Sequence, residues 1–456
     1  MSGWSPRELV HERIPERVRG AAVRVGVVVV TVGLALAVAR LLALAPMLGL
    51  LLAGVVLFVG VMAADVVAVP VLAMPFILST ARVGASGIDL TVSDAFLVVA
   101  SAPAVLVAVS GISRPMRQAL WLCAGYQVAT LFTVLNNPYR ANIVEWFHSG
   151  WLVGGALLVG WAVGRRGRAR WGVGLLVAAG FALAVVTLVV AAAQYARGDF
   201  LPVEPRWPYP MQKNALGTVL AFVAVVVYAK PDWLGMRRWS SLGVFWVLVA
   251  AIFATQSRQS ILGLAAAIVV LVLRRSTTRR RSKAILLAII PALVVVSVMV
   301  QDQVKSGNQF NSFFQRVTWF QDAMAVWGTD PWFGVGLRWW YTDRFPRTFQ
   351  PPNAEIETLT SSGVVGLAAF IVLMVGVWVI ARRLDPRFGL VAELVIVARF
   401  VQSQLDLYWV SVQVTIPFLV LGVCLGAAAF HDAEEAERLQ TIRELERAHR
   451  PAGAAR

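Results

Sequence analysis

Apolar runs of about 18 or more residues recur along the whole chain, parted by short polar segments rich in arginine. A run of that length is enough, as a helix, to cross the ~30 Å hydrocarbon core of a bilayer. Laid between the polar breaks, they fall at about 21–39, 43–62, 64–80, 91–110, 118–136, 142–164, 171–193, 213–229, 241–256, 260–273, 284–300, 358–381, 388–404 and 410–429. The pattern predicts an all-α fold, a polytopic transmembrane helical bundle of about 12–14 spans. Pro70 and Pro75 interrupt the run 64–80. Twelve spans with a re-entrant pair fit as well as fourteen, because proline is tolerated where neighbours satisfy the freed backbone.

Composition sharpens this. The 456 residues are 58% hydrophobic and 14% charged, with mean hydropathy +0.71. A soluble domain carries roughly a quarter charged residues, so that class is excluded. The net charge of +16 does not point to nucleic acid, since the cations sit in clusters between apolar runs. Those clusters are Arg114 and Arg117; Arg165, Arg166, Arg168 and Arg170; Arg237 and Arg238; Arg274 through Lys283; and Arg382, Arg383 and Arg387. The positive-inside rule places all of them, and both tails, on the cytoplasmic side of a plasma or inner membrane.

The expected organisation follows from that alternation. Residues 1–20 read as a cytoplasmic tail rather than a cleavable signal, and 21–300 as eleven helices with short loops. Residues 301–357 read as a large extracytoplasmic loop, 358–429 as the last three helices, and 430–456 as a solvated cytoplasmic helix. Cys123 and Cys424 both lie in apolar runs, which argues against a disulfide framework or a cysteine metal site. No metal and no cofactor is expected.

Chemistry gathers at the outer ends. In FATQSRQSILG, Arg258 stands where one span ends outward and the next begins. One reading is an interfacial arginine that snorkels to headgroups. The other is a phosphate ligand, since Gln256, Ser257 and their neighbours crowd the same turn and a guanidinium fork suits phosphate oxygens. The large loop adds Lys305, Arg316, Arg338, Arg344 and Arg347, against the bias for outer loops, although six nearby acids balance them. Within it, RVTWFQDAMAVW reads as an amphipathic helix on the membrane surface, and DPWFGVGL as a turn whose GxG is only weak evidence for phosphate contact. Asn353 is placed to cap the next helix, with Glu355 and Glu357 in its first turn. Capping accounts for both acids; a general base facing the arginines accounts for them too. His148, about 9 Å below the outer surface, and Glu145, one turn above it, are either a functional pair or an interhelical hydrogen bond.

Four segments in order, QKNALGTVLAF, TQSRQSILGL, RVTWFQDAMAVWGTDPWFGVGL and PNAEIETLTSSGVVGL, closely resemble the signature blocks of the O-antigen ligase and O-antigen polymerase family. The resemblance covers roughly 210 to 370, with the many-span organisation extending it. It implies a GT-C-like, metal-independent, inverting glycosyltransferase on the extracytoplasmic face. The donor would be a polyprenyl-diphosphate-linked glycan and the acceptor a glycan or lipid-glycan hydroxyl, among membrane lipids and without nucleic acid. Carried over, Arg258 grips the donor diphosphate with Arg316 and Arg338 as helpers, and Asn214, Gln256, Ser257 and Asn353 line the pocket. The family's last block usually opens with His-Asn, the histidine acting as base, where this chain has Pro352-Asn353. Either another base serves, Glu355 first, then His148, with Glu357 beside them, or the chain is a binding relative without catalysis. A transporter or flippase of lipid-linked oligosaccharide is the main alternative; it calls for mid-membrane charges and two similar halves, neither evident here. A peptidoglycan polymerase fits less well, because its Asp-centred loop motif is not apparent.

Overall fold

The computed structural model describes residues 46–82, 90–274, 312–342, 344–345 and 350–448, with isolated helical positions between 33 and 40 and between 287 and 301. It divides into two compact units, Met1–Asp65 and Val66–Arg456. In the first, the apolar helix α1 runs Pro46–Ala64. The second unit holds the remaining helices.

Its regular structure among the described residues is helical, with a single isolated bridge, Arg82 to Thr91, as the only extended pairing there. After the short α2 (Ala68–Ala73) come α3 (Val92–Val109), α4 (Arg114–Asn136), α5 (Arg140–Arg165), α6 (Ala169–Tyr195) and α7 (Lys213–Ala229). The rest are α8 (Arg238–Thr255), α9 (Arg258–Leu273), α10 (Ser312–Trp327), α11 (Ala354–Arg383), α12 (Pro386–Ser403) and α13 (Ser411–Ala448). Seven of these helices are long and apolar enough to cross a membrane: α3, α4, α5, α6, α8, α11 and α13. This is a multi-pass, all-α membrane protein. The helix α12 also lies in the bundle, but it carries Arg387, Glu393 and Arg399 and so reads as less apolar.

Two expected features differ. The run 64–80 is not one span: it forms α2 and a separate 3-10 turn, Phe76–Leu78. Pro75, between them, has no N–H to offer and would clash with the carbonyl a turn earlier, so the helix stops. Eleven residues at helical rise reach only ~16 Å. The second difference is at the end, where α13 runs unbroken through residue 448, so the last apolar run and the exposed charged stretch after it are one helix of about 57 Å. The expected spans at 21–39 and 284–300 lie largely outside the described residues.

The core is built on close backbone approach. In α13, 94% of the span window is buried, and α5 is its main partner. A Cβ on Gly160 would stand 2.1 Å from the Leu419 carbonyl oxygen, and one on Gly164 2.3 Å from that of Val423. Gly422 and Gly426 return the relation against Leu157 and Trp161. Two facing small-xxx-small motifs thus let the backbones touch, as helices in lipid require when no hydrophobic force drives them together. Beside this pair α7 is buried on nearly every face.

Contacts between helix ends gather them into two sets. One holds the arginine clusters. Glu393 of α12, fully buried, is paired there by Arg274 and by Arg382 at 3.0 Å, and the Trp233 indole donates to the Arg387 carbonyl at 3.2 Å. Asp385 caps α12 by accepting from the Arg387 N–H at 2.8 Å, and the Arg387 guanidinium beside it holds its carboxyl below the usual range. The other set gathers the start of α3, the α4–α5, α6–α7 and α8–α9 turns, α10, the entry of α11 and the α12–α13 connection. The candidate site is there.

Candidate functional site

The α8–α9 turn is tight. Thr255 ends α8, Gln256 takes a left-handed conformation (φ 52°, ψ 28°), and Arg258 opens α9. A non-glycine residue at positive φ stores strain that the surroundings must hold. Here they do: the Gln256 side chain donates to the Phe200 carbonyl at 2.8 Å, and buried Ser257 shares a 2.7 Å hydrogen bond with Ser260 and lies 3.4 Å from the Asn214 amide oxygen. Gly217 of α7 leaves the space for this, since a Cβ there would press on Ser257 and Ser260 at 2.7 Å. The outcome is a half-buried Arg258 on a turn clamped to the first turn of α7.

Arg316, on α10, is brought to the same place. It donates to the Pro352 carbonyl at 3.2 Å and to the Leu405 carbonyl, tying the amphipathic helix to the entry of α11 and to the α12–α13 connection. Burial pushes its guanidinium below the ordinary value; the Asp406 carboxylate opposes this and the neighbouring Arg258 cation adds to it. The two arginines therefore feel each other. Asp406 is in turn held by the Gln259 amide at 2.9 Å, which also reaches the Thr218 hydroxyl at 3.2 Å.

The first turn of α11 splits its acids. Asn353 caps the helix, accepting from the Ile356 N–H at 2.9 Å. Glu355 points toward the arginine side: one oxygen accepts from Gln404 at 2.7 Å, and the other, buried, has no hydrogen-bond partner among the described residues. Glu357, 2% exposed, turns inward and accepts from the backbone N–H groups of Tyr408 and Trp409. Residues 404–410 are thus a hub. Gln404 meets Glu355, Leu405 meets Arg316, Asp406 meets Gln259, and Tyr408 and Trp409 meet Glu357.

A second constellation adjoins the first. Arg338, also left-handed (φ 52°), donates to the Trp409 carbonyl at 3.0 Å and stands 3.2 Å from Glu145. The other Glu145 oxygen is 3.3 Å from His148 Nδ1, and His148 Nε2 is 3.2 Å from Asp94. Asp94 closes the chain by accepting from the hydroxyls of Thr91 at 2.8 Å and Ser411 at 3.1 Å. Arg338 and His148, expected in separate roles, are therefore members of one buried ionic chain.

Several members were not singled out from sequence. Asp94 reads as a helix cap, which it also is, through a capping box with Thr91. Asp406 is a lone acid between two apolar runs. Arg399, fully buried in α12, donates to Gln413 at 2.6 Å and to the Leu407 and Tyr408 carbonyls. An arginine inside an apolar run is itself a signal for a site, and that signal was present.

Residues 243–370 match the family model described as O-antigen ligase. That stretch is similar to the O-antigen ligase and polymerase family. No curated protein matches it. The matched segment holds Arg258, Arg316, Arg338, Asn353, Glu355 and Glu357, whereas Asn214, His148, Asp94 and the hub at 404–410 lie outside it. O-antigen ligase-type proteins transfer glycans from lipid-linked substrates, and the match supports that general activity for this membrane protein.

Proposed function

We propose that the protein is a membrane glycosyltransferase that moves a glycan from a polyprenyl-diphosphate carrier to an acceptor hydroxyl, with inversion and without a metal, on the extracytoplasmic face of the plasma or inner membrane. The observation that carries this is the Arg258–Arg316 pair. Arg258 precedes Gln259, whose amide holds Asp406, and Arg316 donates to the adjoining Leu405 carbonyl, so two guanidinium-bearing residues meet one connection, and such a pair suits a diphosphate. As the anomeric carbon–oxygen bond breaks, its electron pair passes to the diphosphate, and fixed guanidinium groups are placed to stabilise the charge that develops.

The acceptor oxygen bonds to the anomeric carbon from the opposite face, and its proton needs a base. Pro352 cannot serve. Glu355 fits best, because it adjoins Arg316 through the shared contacts at Gln404 and Leu405 and keeps one carboxylate oxygen unengaged. Glu357 is committed to two backbone N–H groups, which favours a positioning role for it. His148 is committed to Asp94 and Glu145. Asn214, Gln256, Ser257 and Asn353 hold the pocket walls, and Arg338 stands at its border.

A transporter would place ionisable groups along a path through the bundle. Glu393 and Arg399 are buried there, but Glu393 is neutralised by Arg274 and Arg382, and Arg399 is spent on the α12–α13 connection. Both read as struts. The test is purified protein in lipid nanodiscs with a polyprenyl-diphosphate-linked glycan. Free polyprenyl diphosphate and an extended acceptor should appear together, and Arg258→Ala should lower both about 100-fold or more. Transport of intact donor with no carrier released would overturn the reading.

A further inference from the structure

A cavity of about 570 Å³ opens at the same end of the bundle. Its walls come from residues 80–82 with Thr91, from the segment 204–212 leading into α7, from Arg338, and from 410–413 at the start of α13. Two of these walls are shared with the proposed donor site. Gln212 and Ala215 line the cavity while Asn214, between them, meets Ser257; Val410 lines it while Asp406, on the same connection, meets Gln259.

The ionic chain braces one wall. Thr91 and Ser411, which hold Asp94 at one end, both line the cavity, and so does Arg338 at the other end. Burying four ionisable groups costs several kcal/mol per ion unless they pair, and here they pair from end to end. The Tyr209 hydroxyl accepts from the Thr80 N–H at 3.3 Å, which closes the far side.

The lining also selects an occupant. The charged lining is Arg82, Arg206 and Arg338, the last paired to Glu145, with one acid, Glu204; Gln212 and Gln413 add amides, and Tyr209, Pro205 and Pro210 offer flat apolar faces. A phosphate gains nothing from an acid, amide oxygens or apolar faces. A mixed set of donors and acceptors around apolar faces suits vicinal hydroxyls and the C–H faces of sugar rings. The volume lies in the ~300–1,000 Å³ range of sites for compact ligands.

We infer that this cavity is the acceptor subsite, holding the hydroxyl-bearing end of the acceptor glycan next to the donor diphosphate. The inference rests on the transferase reading above. Its test uses full-length protein in nanodiscs and, as probe, fluorescently labelled glycans released by mild acid from membranes of the native cells. Arg206 and Gln212 are exposed, so Arg206→Ala with Gln212→Ala should leave the thermal unfolding temperature unchanged. Glycan affinity of that double variant should fall about tenfold, two lost hydrogen bonds being enough. Ala81→Trp, which fills the cavity, should abolish binding. Three results would overturn the assignment: no glycan retained by the wild type, unchanged affinity in both variants, or displacement of the glycan by undecaprenyl phosphate, which would make the cavity a prenyl-chain site. Transfer is scored separately. Binding that depends on this cavity without any transfer would defeat the transferase reading and leave a glycan site standing.

Discussion

Replacing Glu355 by glutamine separates proton transfer from architecture. The variant keeps the shape of the side chain and an amide oxygen able to accept from Gln404, the 2.7 Å contact that joins the first turn of α11 to the α12–α13 connection. The new amide nitrogen falls where one carboxylate oxygen has no partner, so no existing bond is broken. Stability should change by less than about 1 kcal/mol. The proton, however, has nowhere to go. General-base catalysis contributes typically 10²–10⁴-fold, and at about 1.36 kcal/mol per tenfold that is roughly 3–5 kcal/mol of barrier. Multiple-turnover release of polyprenyl diphosphate in nanodiscs reads the rate, and thermal unfolding of the same sample reads the fold. Binding of the carrier should be unaltered. A Glu355→Gln enzyme that keeps more than about a tenth of wild-type kcat would refute Glu355 as base, since less than one order of magnitude is no base at all on this scale.

Glu357→Ala should show the opposite profile: it strands the buried N–H groups of Tyr408 and Trp409, at about 1–3 kcal/mol each, so unfolding temperature and yield fall before any rate is measured. Gly160→Ala should destabilise by at least about 1–3 kcal/mol in the same unfolding assay, because its Cβ would stand 2.1 Å from the Leu419 carbonyl oxygen. A cysteine at exposed Trp239 should be labelled by a membrane-impermeant maleimide only in inverted vesicles, and one at exposed Trp207 only in intact cells, while buried Cys123 and Cys424 stay silent. Labelling of both from the same side would break the alternation on which the site's location depends.

The helices themselves were legible because lipid leaves a periodic record: a span must be apolar for its whole length, and charges mark its ends. The described helices accordingly begin and end within a few residues of the apolar runs. Where that record fails, the cause is local. Pro75 ends a helix that hydropathy alone would continue, and nothing in the step from apolar to charged residues near 430 obliges α13 to stop. Arg258, Arg316 and Glu355 could be found because each breaks a pattern at an outer end. The hub could not. Its contacts join Gln404 to Glu355, Asp406 to Gln259 and Leu405 to Arg316, pairs 49, 147 and 89 residues apart, and one sequence carries no trace of such pairing. The ionic chain was half visible: Glu145 and His148 are three residues apart on one helix, whereas Asp94 and Arg338 reach them from other parts of the chain.

The claim on which the rest depends is that Arg258 and Arg316 together hold a carrier diphosphate. Equilibrium binding of undecaprenyl diphosphate to the protein in nanodiscs tests it directly, with undecaprenol as the uncharged control. Truncating either arginine to alanine removes charged hydrogen bonds worth about 1.5–3 kcal/mol, so each variant should bind roughly 10- to 150-fold more weakly, while undecaprenol binding stays the same. Equal affinity of wild type, Arg258→Ala and Arg316→Ala for the diphosphate would contradict the account.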